Sequence, residues 1–439
     1  MTRRTRFRKI FPGWWIVLGG SIVSLWGMGY YYTGGSALFK PISTELGFSR
    51  AATSVAASIG RLEGGFESPL TGWITDKYGP RSIMVVGVTI IGLGLILMNF
   101  IHSLWGYYLV WGIITGTGVN IALTLPLEKA ITNWFVKKRG LALGVRWTCS
   151  GLALVLVLPL IAWLVSTQGW RVTCVIGGLV MWAVGIPLTW FSVRQQRPEY
   201  YGLLPDGATV EEKAKDTSQM IEKGVKYAAE VEEVEFTLRQ AMRTPAYWLL
   251  ILANAAHGMP VQVVMIHCIP FLTDMGVEPV KAAVMIAATS AVSIPARLFG
   301  GLLADRLEKR YLRFLVGGAY LLQALGFGIF LLNQTINMAY VFFALYYFGN
   351  GLAMPLNAII RGRYFGRKAF GSIHGSSQIF TTPVGVIAPI YAGWVYDTTG
   401  SYIAAFILLT RLLALSVVLM WLTFPPKAPA RVTDIRKFL

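Results

Sequence analysis

Two short charged segments with a shared pattern separate long apolar stretches of this sequence. The first is GWITDKYGPR at 72–81, and the second is GLLADRLEKR at 301–310. In each, a glycine is followed four residues later by an aspartate and then by a basic residue. The two aspartates, Asp76 and Asp305, lie 229 residues apart. A charged turn that recurs between apolar runs predicts a chain built from two related halves.

Other landmarks recur at nearly the same distance. Phe135, which lies shortly before two lysines, and Phe365, which lies before Arg367, are 230 residues apart. Asn120 and Asn350, each in a glycine-rich stretch, are also 230 residues apart. These spacings indicate an internal duplication. Two parallel repeats in a membrane protein are typical of a transporter whose binding site lies between them.

The composition excludes a soluble globular chain. Of the 439 residues, 55% are hydrophobic and 14% are charged. The net charge of +18 is concentrated in alternate loops, so it indicates membrane topology and not a nucleic-acid surface. Cys149, Cys174 and Cys268 lie in apolar stretches without metal-ligand spacing, which predicts neither a disulfide nor a metal site. The sequence contains no phosphate loop or hydrolase elbow, so neither an enzyme nor a cofactor is expected.

About twelve apolar segments are long enough to span a bilayer, six before and six after a charged linker at 194–244. The sequence therefore predicts an all-α membrane protein with six-helix bundles at 1–193 and 245–439. Lys and Arg are enriched on the side of both termini and the linker, which places that side in the cytoplasm. The basic N-terminus precedes a long apolar run, which predicts a retained first spanning helix. We expect a multi-pass protein of the cell membrane, inner or plasma.

Several segments resemble one transporter family. The segment at 72–81 resembles the signature loop between helices 2 and 3 of the major facilitator superfamily. WFVKKRGLALG, at 134–144, is similar to the start of helix 5 in the monocarboxylate-transporter branch, which includes lactate carriers and bacterial oxalate–formate antiporters. PGWW at 12–15, RPEYYGLLPDG at 197–207 and DTTGSY at 397–402 resemble further segments of that branch. The resemblance implies the major facilitator fold, with two pseudo-symmetric six-helix bundles, alternating access and a monomeric protein.

The resemblance also implies a gate at the cytoplasmic end. Taken over both copies of the charged loop, the implied gating residues are Gly72, Asp76, Lys77, Gly79, Arg81, Asp305 and Arg306. Asp76 is expected to face the positive N-terminal end of a neighbouring helix and so to hold this end closed. The glycines permit close helix packing and a tight turn.

Arg297 is the main candidate for binding a substrate. It lies eight residues before Asp305, about 12 Å along a helix at ~1.5 Å per residue and near the middle of a bilayer core of about 30 Å. Carboxylate carriers of the resembled branch place a substrate-binding arginine on helix 8, where Arg297 lies. A guanidinium there can hold a carboxylate with two hydrogen bonds. The alternative is a structural ion pair within the bundle.

The sequence departs from the resembled branch at three places. Lactate carriers have an aspartate one turn before this arginine, where this chain has Ser293, and a lysine on helix 1, where it has the neutral segment 30–33. The oxalate antiporter has a lysine on helix 11, whereas residues 373–395 contain neither lysine nor arginine. Neither proton–lactate symport nor oxalate exchange therefore follows from the resemblance.

Two glutamates of helix 2 are candidates for proton coupling. Glu63 and Glu67 lie four residues apart on the helix, so their mutual repulsion favours a proton on one of them. Glu67 lies nine residues before Asp76, about 13 Å along the helix and also near mid-depth. We expect Glu67 to carry the coupled proton. The alternative is that one of the two neutralises Arg61 or another basic side chain.

Further candidates are predicted to line the cavity. Arg146 on helix 5 would present a second cation beside Arg297, which would suit a dicarboxylate or a larger aromatic acid. The alternative for Arg146 is a pair with Glu128 on helix 4. Weaker candidates, for which packing, interface anchoring and interhelical hydrogen bonds are the alternatives, are Tyr32, Asn120, Tyr347 and Asn350. Arg411 on helix 12 is assigned no role.

Together these features predict a secondary transporter for a small organic anion, with a monocarboxylate as the favoured substrate. The substrate gradient, protons or a counter-anion would drive it. One alternative is an efflux transporter for drug-like or neutral metabolites. Another is a membrane sensor that binds a carboxylate without moving it. The expected partners are the anion and the lipid bilayer, without metal, cofactor or nucleic acid.

Overall fold

The computed structural model describes residues 10–48, 50–209, 216–230 and 233–428. Every regular element in these ranges is helical, which confirms the prediction of an all-α protein. Each half of the described chain contains six long helices. The described part of the linker contributes two short α-helices, Thr217–Ala229 and Leu238–Met242.

The first half contains α1 to α6. In chain order these cover residues 13–46, Arg50–Tyr78, Pro80–Phe100, Leu104–Trp134, 139–168 and 170–192. Gly169, with φ 77° and ψ 165°, interrupts the helical path between α5 and α6. Glycine adopts this backbone conformation at low cost because it has no Cβ, so the chain can change direction at this point.

The second half contains α7 to α12. In chain order these cover Pro245–Asp274, 279–306, Leu312–Leu332, Ile336–Phe365, Phe370–Thr399 and Ile403–Trp421. The helices that carry equivalent sequence landmarks have the same order in both halves. Asp76 lies near the end of α2 and Asp305 near the end of α8. The duplication read from the sequence is therefore also present in the order of the helices.

In the part of the first half that the structure describes, three helices contain π-helical segments. These are Gly29–Thr33 in α1, Tyr108–Thr115 in α4 and Met181–Gly185 in α6. Such segments are rare within α-helices and often occur at functional sites. The segment in α1 buries the side chains of Tyr30 and Tyr31.

Eight segments of the described chain are long and apolar enough to cross a membrane. The longest, Arg139–Ser192, has 54 residues and contains the break at Gly169, so it is long enough for two crossings at ~20 residues each. Helix α2 lies outside this set and carries Arg61, Glu63 and Glu67 in its middle. Charged groups at membrane depth need partners inside the protein or a functional reason.

Buried apolar side chains of the described residues form three clusters. One contains only residues of the first half, among them Trp111, and another contains only residues of the second half, among them Phe406. The third combines Trp134 of the first half, Phe236 of the linker and Phe365 of the second half. The two halves therefore share an apolar core where the linker lies, which we call the linker end.

Candidate functional site

The two halves meet at the linker end through α2 against α11 and α5 against α8. Glycines lie at both contacts. A Cβ on Gly72 would lie 2.2 Å from the carbonyl oxygen of Gly371, and a Cβ on Gly140 would lie 2.1 Å from that of Gly301. Any larger residue at these positions would push the helices apart, because the obstructing atoms belong to the backbone. The linker end is therefore closed in this structure.

Asp76 caps a helix of the opposite half. Its carboxylate accepts hydrogen bonds from the backbone N–H groups of Gly371 at 3.1 Å and Ser372 at 2.7 Å, at the start of α11. It also forms an ion pair with Lys129 at 2.7 Å. The first N–H groups of a helix have no partners within the helix and carry partial positive charge. The hydrogen bonds from the start of α11 therefore stabilise this carboxylate only while the two halves stay together, whereas its pair with Lys129 lies within the first half.

Asp305 occupies the equivalent position in the second contact. Its carboxylate accepts hydrogen bonds from the backbone N–H groups of Gly140 at 2.6 Å and Leu141 at 2.7 Å, at the start of α5. Each aspartate thus belongs to one half and caps a helix of the other half. The two copies of the sequence motif thus form two equivalent contacts between the halves.

The basic residues of the charged loops lie differently. Nη2 of Arg81 donates to the carbonyl oxygen of Trp190 at 2.6 Å, within the first half. The ammonium of Lys77 lies over a neighbouring tryptophan ring, 4.8 Å from its centroid, and Arg306 is exposed. Gly79 forms the turn between α2 and α3 with φ 82°. Within the described residues, Lys77, Arg81 and Arg306 form no ion pair with the opposite half.

A buried cluster of ion pairs joins the linker to both halves. Glu233 of the linker lies 2.8 Å from Nη2 of Arg139, at the start of α5, and 3.3 Å from Nε of Arg367, just before α11. Glu199 lies 3.0 Å from Nη1 of Arg367. These four side chains are at most 3% exposed. Because buried charges are stable only when paired, this cluster ties the linker to the closed arrangement.

A third linker carboxylate extends the cluster. Glu235 pairs with Arg197 at 3.0 Å and accepts a hydrogen bond from the backbone N–H of Lys368 at 2.5 Å. Burial acts to raise the pKa of Glu235, but the attraction of Arg197, Arg367 and Lys129 outweighs it and holds that pKa below its ordinary value. Stability from such a group is present above its ordinary pKa and is lost as the pH falls through the lowered value. The contribution of Glu235 to the attachment of the linker is therefore fully present at neutral pH.

The linker contacts cannot be predicted from the sequence alone. The available signals are the acidic run EVEEVE at 230–235 and the basic loops that follow Phe135 and Phe365. A charge run by itself predicts a solvated surface as readily as a buried network. The three-dimensional fold is needed to show that Glu233 reaches one basic loop from each half.

Gly301→Ala is expected to open the linker end. The added Cβ would lie 2.1 Å from the carbonyl oxygen of Gly140, and only separation of α5 from α8 relieves that contact. Overpacking of this kind costs about 1–3 kcal/mol, so the population of the closed state should fall about tenfold relative to the open state. Hydrogen exchange at the amides of Gly140 and Leu141, which Asp305 holds in the closed state, should become correspondingly faster.

Gly318→Ala is the matched control for this measurement. Gly318 lies in α9, and a Cβ at this position meets no atom within 4 Å. Both variants gain the same helix-favouring methyl group, so any difference between them reports the contact between α5 and α8. Exchange rates at Gly140 that stay equal in the two variants would contradict the expected opening.

Arg297, the main substrate-binding candidate, lies at the contact between α5 and α8. Its Nη1 donates a hydrogen bond to the carbonyl oxygen of Trp147 at 2.8 Å. The guanidinium packs on Gly151, where a Cβ would lie 2.4 Å from Nη1. Its Nε is buried and has no hydrogen-bond partner in the described ranges. No carboxylate of those ranges lies within 4.0 Å of the guanidinium, so the structure does not show the alternative of an ion pair.

Arg146 is fully buried and lies near Arg297. Its Nη2 donates to the carbonyl oxygen of Leu123 at 2.8 Å, and its guanidinium lies 3.8 Å from the centroid of the Trp147 ring. Nε and Nη1 have no hydrogen-bond partner among the described residues. Glu128 attracts Arg146 without forming an ion pair within 4.0 Å, and Arg146 and Arg297 repel each other. An anion beside the two arginines would satisfy their donors and relieve that repulsion.

Glu63 and Glu67 lie in α2 and face α4. Glu63 accepts a hydrogen bond from the hydroxyl of Thr117. Glu67 interacts with Asn120, whose amide also donates to a backbone carbonyl of α2 at 3.0 Å. In the described part of the chain, one oxygen of each glutamate is buried without a hydrogen-bond partner. Each glutamate therefore has an oxygen on which a proton would break no existing bond.

Arg61, two residues before Glu63 in α2, does not pair with these glutamates. Its Nη1 donates to Oε1 of Gln262 in α7 at 2.9 Å. Neither Glu63 nor Glu67 lies within 4.0 Å of its guanidinium. The alternative in which one glutamate neutralises Arg61 is therefore not seen, and Arg61 instead connects α2 to the second half of the chain.

The weaker candidates are dispersed. Tyr32 is 39% exposed, Tyr347 stacks on a phenylalanine of its own helix with the ring centroids 6.1 Å apart, and Asn350 is partly buried in α10. Within the described residues, none of the three forms a hydrogen bond with Arg297 or Arg146. Tyr32 lies on α1 and the other two lie on α10, and the three do not form a compact site with the arginines.

Comparison with known proteins identifies the architecture. A family model described as the Major Facilitator Superfamily matches residues 20–389. This chain belongs to the major facilitator superfamily. The match runs from α1 into α11 and includes the linker. The chain is therefore an integral, multi-pass membrane protein and a secondary transporter, and it is not an enzyme.

Two related proteins support the resemblance that the sequence motifs of this chain indicate. Monocarboxylate transporter 13 of Rattus norvegicus is 25% identical over 395 residues, which cover 90% of this chain and 85% of the relative. The oxalate:formate antiporter of Oxalobacter formigenes is 22% identical over 361 residues, which cover 81% of this chain and 80% of the relative. The predicted resemblance to the monocarboxylate-transporter branch is thereby confirmed.

Solved structures of the superfamily share the fold. The proton:xylose symporter XylE bound to 6-bromo-6-deoxy-D-glucose is 12% identical with a TM-score of 0.70, and the alignment covers 97% of this chain and 98% of that one. The human organic anion transporter MFSD10 (TETRAN) is 12% identical with a TM-score of 0.65, over 92% of this chain and 98% of that one. At these identities the likeness establishes the fold alone.

Proposed function

We propose that this transporter moves a small organic anion, with a monocarboxylate as the favoured substrate, by alternating access. The observation that supports this is the Arg297 guanidinium, which has no carboxylate within 4.0 Å among the described residues. A cation inside a membrane protein is costly without a counter-charge, and an anionic substrate would supply one. The names of the relatives, a monocarboxylate transporter and an oxalate:formate antiporter, support the same class of substrate.

The proposed membrane arrangement follows the duplication. About twelve helices span the bilayer in two bundles at 1–193 and 245–439, and the linker at 194–244 lies in the cytoplasm with both termini. The excess of Lys and Arg at the linker end supports this orientation. In this orientation the conformation described above is closed towards the cytoplasm. A substrate would then reach the arginines from the opposite side of the membrane.

Arg146 is the proposed second cation of the substrate site. Its unpaired donors and its repulsion from Arg297 support a role in holding the same anion. The proposed minor contacts to the substrate remain Tyr32, Asn120, Tyr347 and Asn350. The proposed gate consists of Gly72, Asp76, Lys77, Gly79, Arg81, Asp305 and Arg306. The gating role is best supported for the two aspartates, because each caps a helix of the opposite half.

Counterflow into proteoliposomes tests the proposed function without assuming a driving ion. Labelled lactate, formate, oxalate and an aromatic acid are compared with a neutral sugar and an organic cation. We expect saturable exchange of one or more of the anions and none of the other two compounds. Binding of an anion without flux would indicate a sensor. Flux of the neutral or cationic compound would indicate an efflux transporter.

Glu67→Gln tests the proposed proton-coupling role of Glu67 beside Glu63. The amide keeps the size of the side chain but accepts no proton, so uptake driven by a pH gradient should be lost while counterflow at constant pH persists. Uptake is measured at a series of external pH values with the internal pH fixed. Full pH-dependent uptake by Glu67→Gln would remove the coupling role from this residue and leave the substrate assignment in place.

A further inference from the structure

Oxygen-bearing side chains of three helices converge within the first half. Glu63 and Glu67 of α2 contact Thr117 and Asn120 of α4, as described above. The hydroxyl of Tyr31 approaches the same group from α1, and it interacts electrostatically with Glu63. One oxygen of each glutamate and the hydroxyl of Tyr31 have no hydrogen-bond partner among the described residues. Three unused oxygens therefore lie close to one another inside the protein.

The position of Tyr31 shows where these oxygens point. The residue is 6% exposed, and its ring stacks on that of Trp111 in α4, with the centroids 5.3 Å apart. A Cβ built on Gly116 of α4 would lie 3.1 Å from the hydroxyl oxygen of Tyr31 and 3.5 Å from Oε2 of Glu63. Both oxygens therefore face the same point beside Gly116. Because a buried polar group without a partner is costly, a ligand at this point would stabilise the protein.

The backbone leaves room for this convergence. A Cβ on Gly60 of α2 would overlap the hydroxyl of Tyr31, so a larger residue at that position would displace it. Tyr31 itself belongs to the π-helical segment Gly29–Thr33 of α1, and the π-helical segment Tyr108–Thr115 of α4 ends just before Gly116. Segments of this kind are frequent at functional sites. Two of them flank the same group of oxygens.

The charge of the group suits one monovalent cation. Glu63 and Glu67 carry two negative charges when both are ionised. Arg61 acts electrostatically on Tyr31 and adds one positive charge, while its Nη1 donates to Gln262 of α7 at 2.9 Å. Two negative charges and one positive charge leave a net charge of −1. A monovalent cation neutralises it, whereas a divalent cation would leave an excess charge at membrane depth.

We propose that this group binds one monovalent alkali cation through oxygens of four side chains, Tyr31, Glu63, Glu67 and Thr117. We call it the cation site. Carboxylate and hydroxyl oxygens are the ligands that hard cations prefer. The hydroxyl of Thr117 gives its hydrogen to Glu63, which leaves its oxygen lone pairs for the ion. The cation and the proton proposed for Glu67 are alternative occupants of that carboxylate.

The cation site and the two arginines are connected through α4. Asn120, which contacts Glu67, lies one turn before Leu123, whose carbonyl oxygen accepts a hydrogen bond from Nη2 of Arg146 at 2.8 Å. A cation and an anion bound on neighbouring turns attract each other, so each raises the affinity for the other by the same factor. This consequence rests on the proposed function, whereas the cation site does not.

Equilibrium binding of radiolabelled Na⁺ to the purified full-length protein tests the cation site without any anion substrate. Choline chloride keeps the ionic strength constant. Tyr31→Phe removes only a hydroxyl, and Thr117→Val removes the other neutral ligand while keeping the side-chain shape. We expect each variant to weaken Na⁺ binding at least about tenfold, and Glu63→Gln to weaken it further. Conservative variants on two helices are used in case one of them does not fold.

Tyr30→Phe is the matched control for Tyr31→Phe. Tyr30 is the adjacent residue of α1 and is fully buried, but its hydroxyl donates to the carbonyl oxygen of Thr173 at 3.1 Å, away from the glutamates. Its loss should leave Na⁺ binding unchanged. The proposal is overturned if the unmodified protein shows no saturable Na⁺ binding. Equal affinities of the unmodified protein, Tyr31→Phe and Glu63→Gln would also overturn it.

Anion counterflow in Na⁺ or in choline tests the link to the anion. We expect KM for the exchanged anion to be at least about fivefold lower in Na⁺. This difference should be lost in Tyr31→Phe and kept in Tyr30→Phe. A KM that does not depend on Na⁺ would overturn the link to the anion. Saturable Na⁺ binding that is weakened by Tyr31→Phe, without any anion exchange, would support the cation site and remove the proposed function.

Discussion

Arg297→Ala is expected to remove most anion transport. The substitution deletes a guanidinium that has no carboxylate partner among the described residues and would leave a bound anion without its main counter-charge. Truncation of one member of a buried charge pair costs about 2–5 kcal/mol. At ~1.4 kcal/mol per tenfold, kcat/KM in counterflow should fall by at least about thirtyfold. The measurement uses the anion that the unmodified protein exchanges fastest.

Arg297→Lys tests whether the positive charge alone is sufficient, and Arg411→Ala is the control variant. Lysine keeps the charge but lacks the planar pair of donors that holds a carboxylate, so its effect should lie between those of the alanine variant and the unmodified protein. Arg411 is an exposed arginine of α12, and its loss removes the same side chain from a helix without touching the contact between α5 and α8. Anion exchange by Arg297→Ala within twofold of that of Arg411→Ala would refute the role of Arg297.

Glu233→Gln is expected to shift the transporter towards the form that is open at the linker end. The amide leaves Arg139 without its buried carboxylate and weakens the pairing of Arg367. Removal of one partner from a buried ion pair costs about 3–5 kcal/mol, although Glu199 still pairs with Arg367. The ratio of closed to open molecules should therefore fall by at least about tenfold. Hydrogen exchange at the amides of Gly371 and Ser372, which Asp76 protects, measures that ratio.

Glu230→Gln provides a comparison within the same acidic run. Glu230 pairs with Lys137 at 2.5 Å, but the two side chains are 58% and 40% exposed. Exposed pairs contribute about 0–1 kcal/mol and are screened by salt. Exchange at Gly371 should therefore change little in this variant. Equal exchange rates in Glu230→Gln and Glu233→Gln would show that burial of the linker pairs does not hold the closed form.

The fold follows largely from features that are local in sequence. Long apolar runs specify helices of spanning length, and the charged turns at Asp76 and Asp305 mark the ends of equivalent helices. The duplicated spacing relates the two halves without knowledge of their contacts. The motif around Asp76 also predicts that its carboxylate faces the start of another helix, because helix starts attract negative charge. Fold and family could therefore be read from the sequence.

The candidate functional site is only partly predictable, because many of its contacts join residues that lie far apart in the sequence. Arg297 is conspicuous because a lone cation in an apolar helix is costly wherever that helix packs. The pairing of Glu128 with His374, 3.4 Å apart across the two halves, and of Glu233 with Arg139, depends on which helix faces come together across hundreds of residues. A histidine within an apolar helix is compatible with simple packing, and an acidic run is compatible with a solvated loop. Such pairs become visible only when the tertiary contacts are known.

The reciprocal placement of Asp76 and Asp305 imposes a simultaneous requirement on movement. Each carboxylate belongs to one half and caps a helix of the other half. Tilting of one half relative to the other therefore breaks both contacts in a single motion. A conformation in which only one of the two aspartate contacts is broken would strain the helices without opening a path for the substrate. The linker end should therefore have two states, one with both contacts formed and one with both broken. A partly open state, through which substrate could pass uncontrolled, is disfavoured by this geometry.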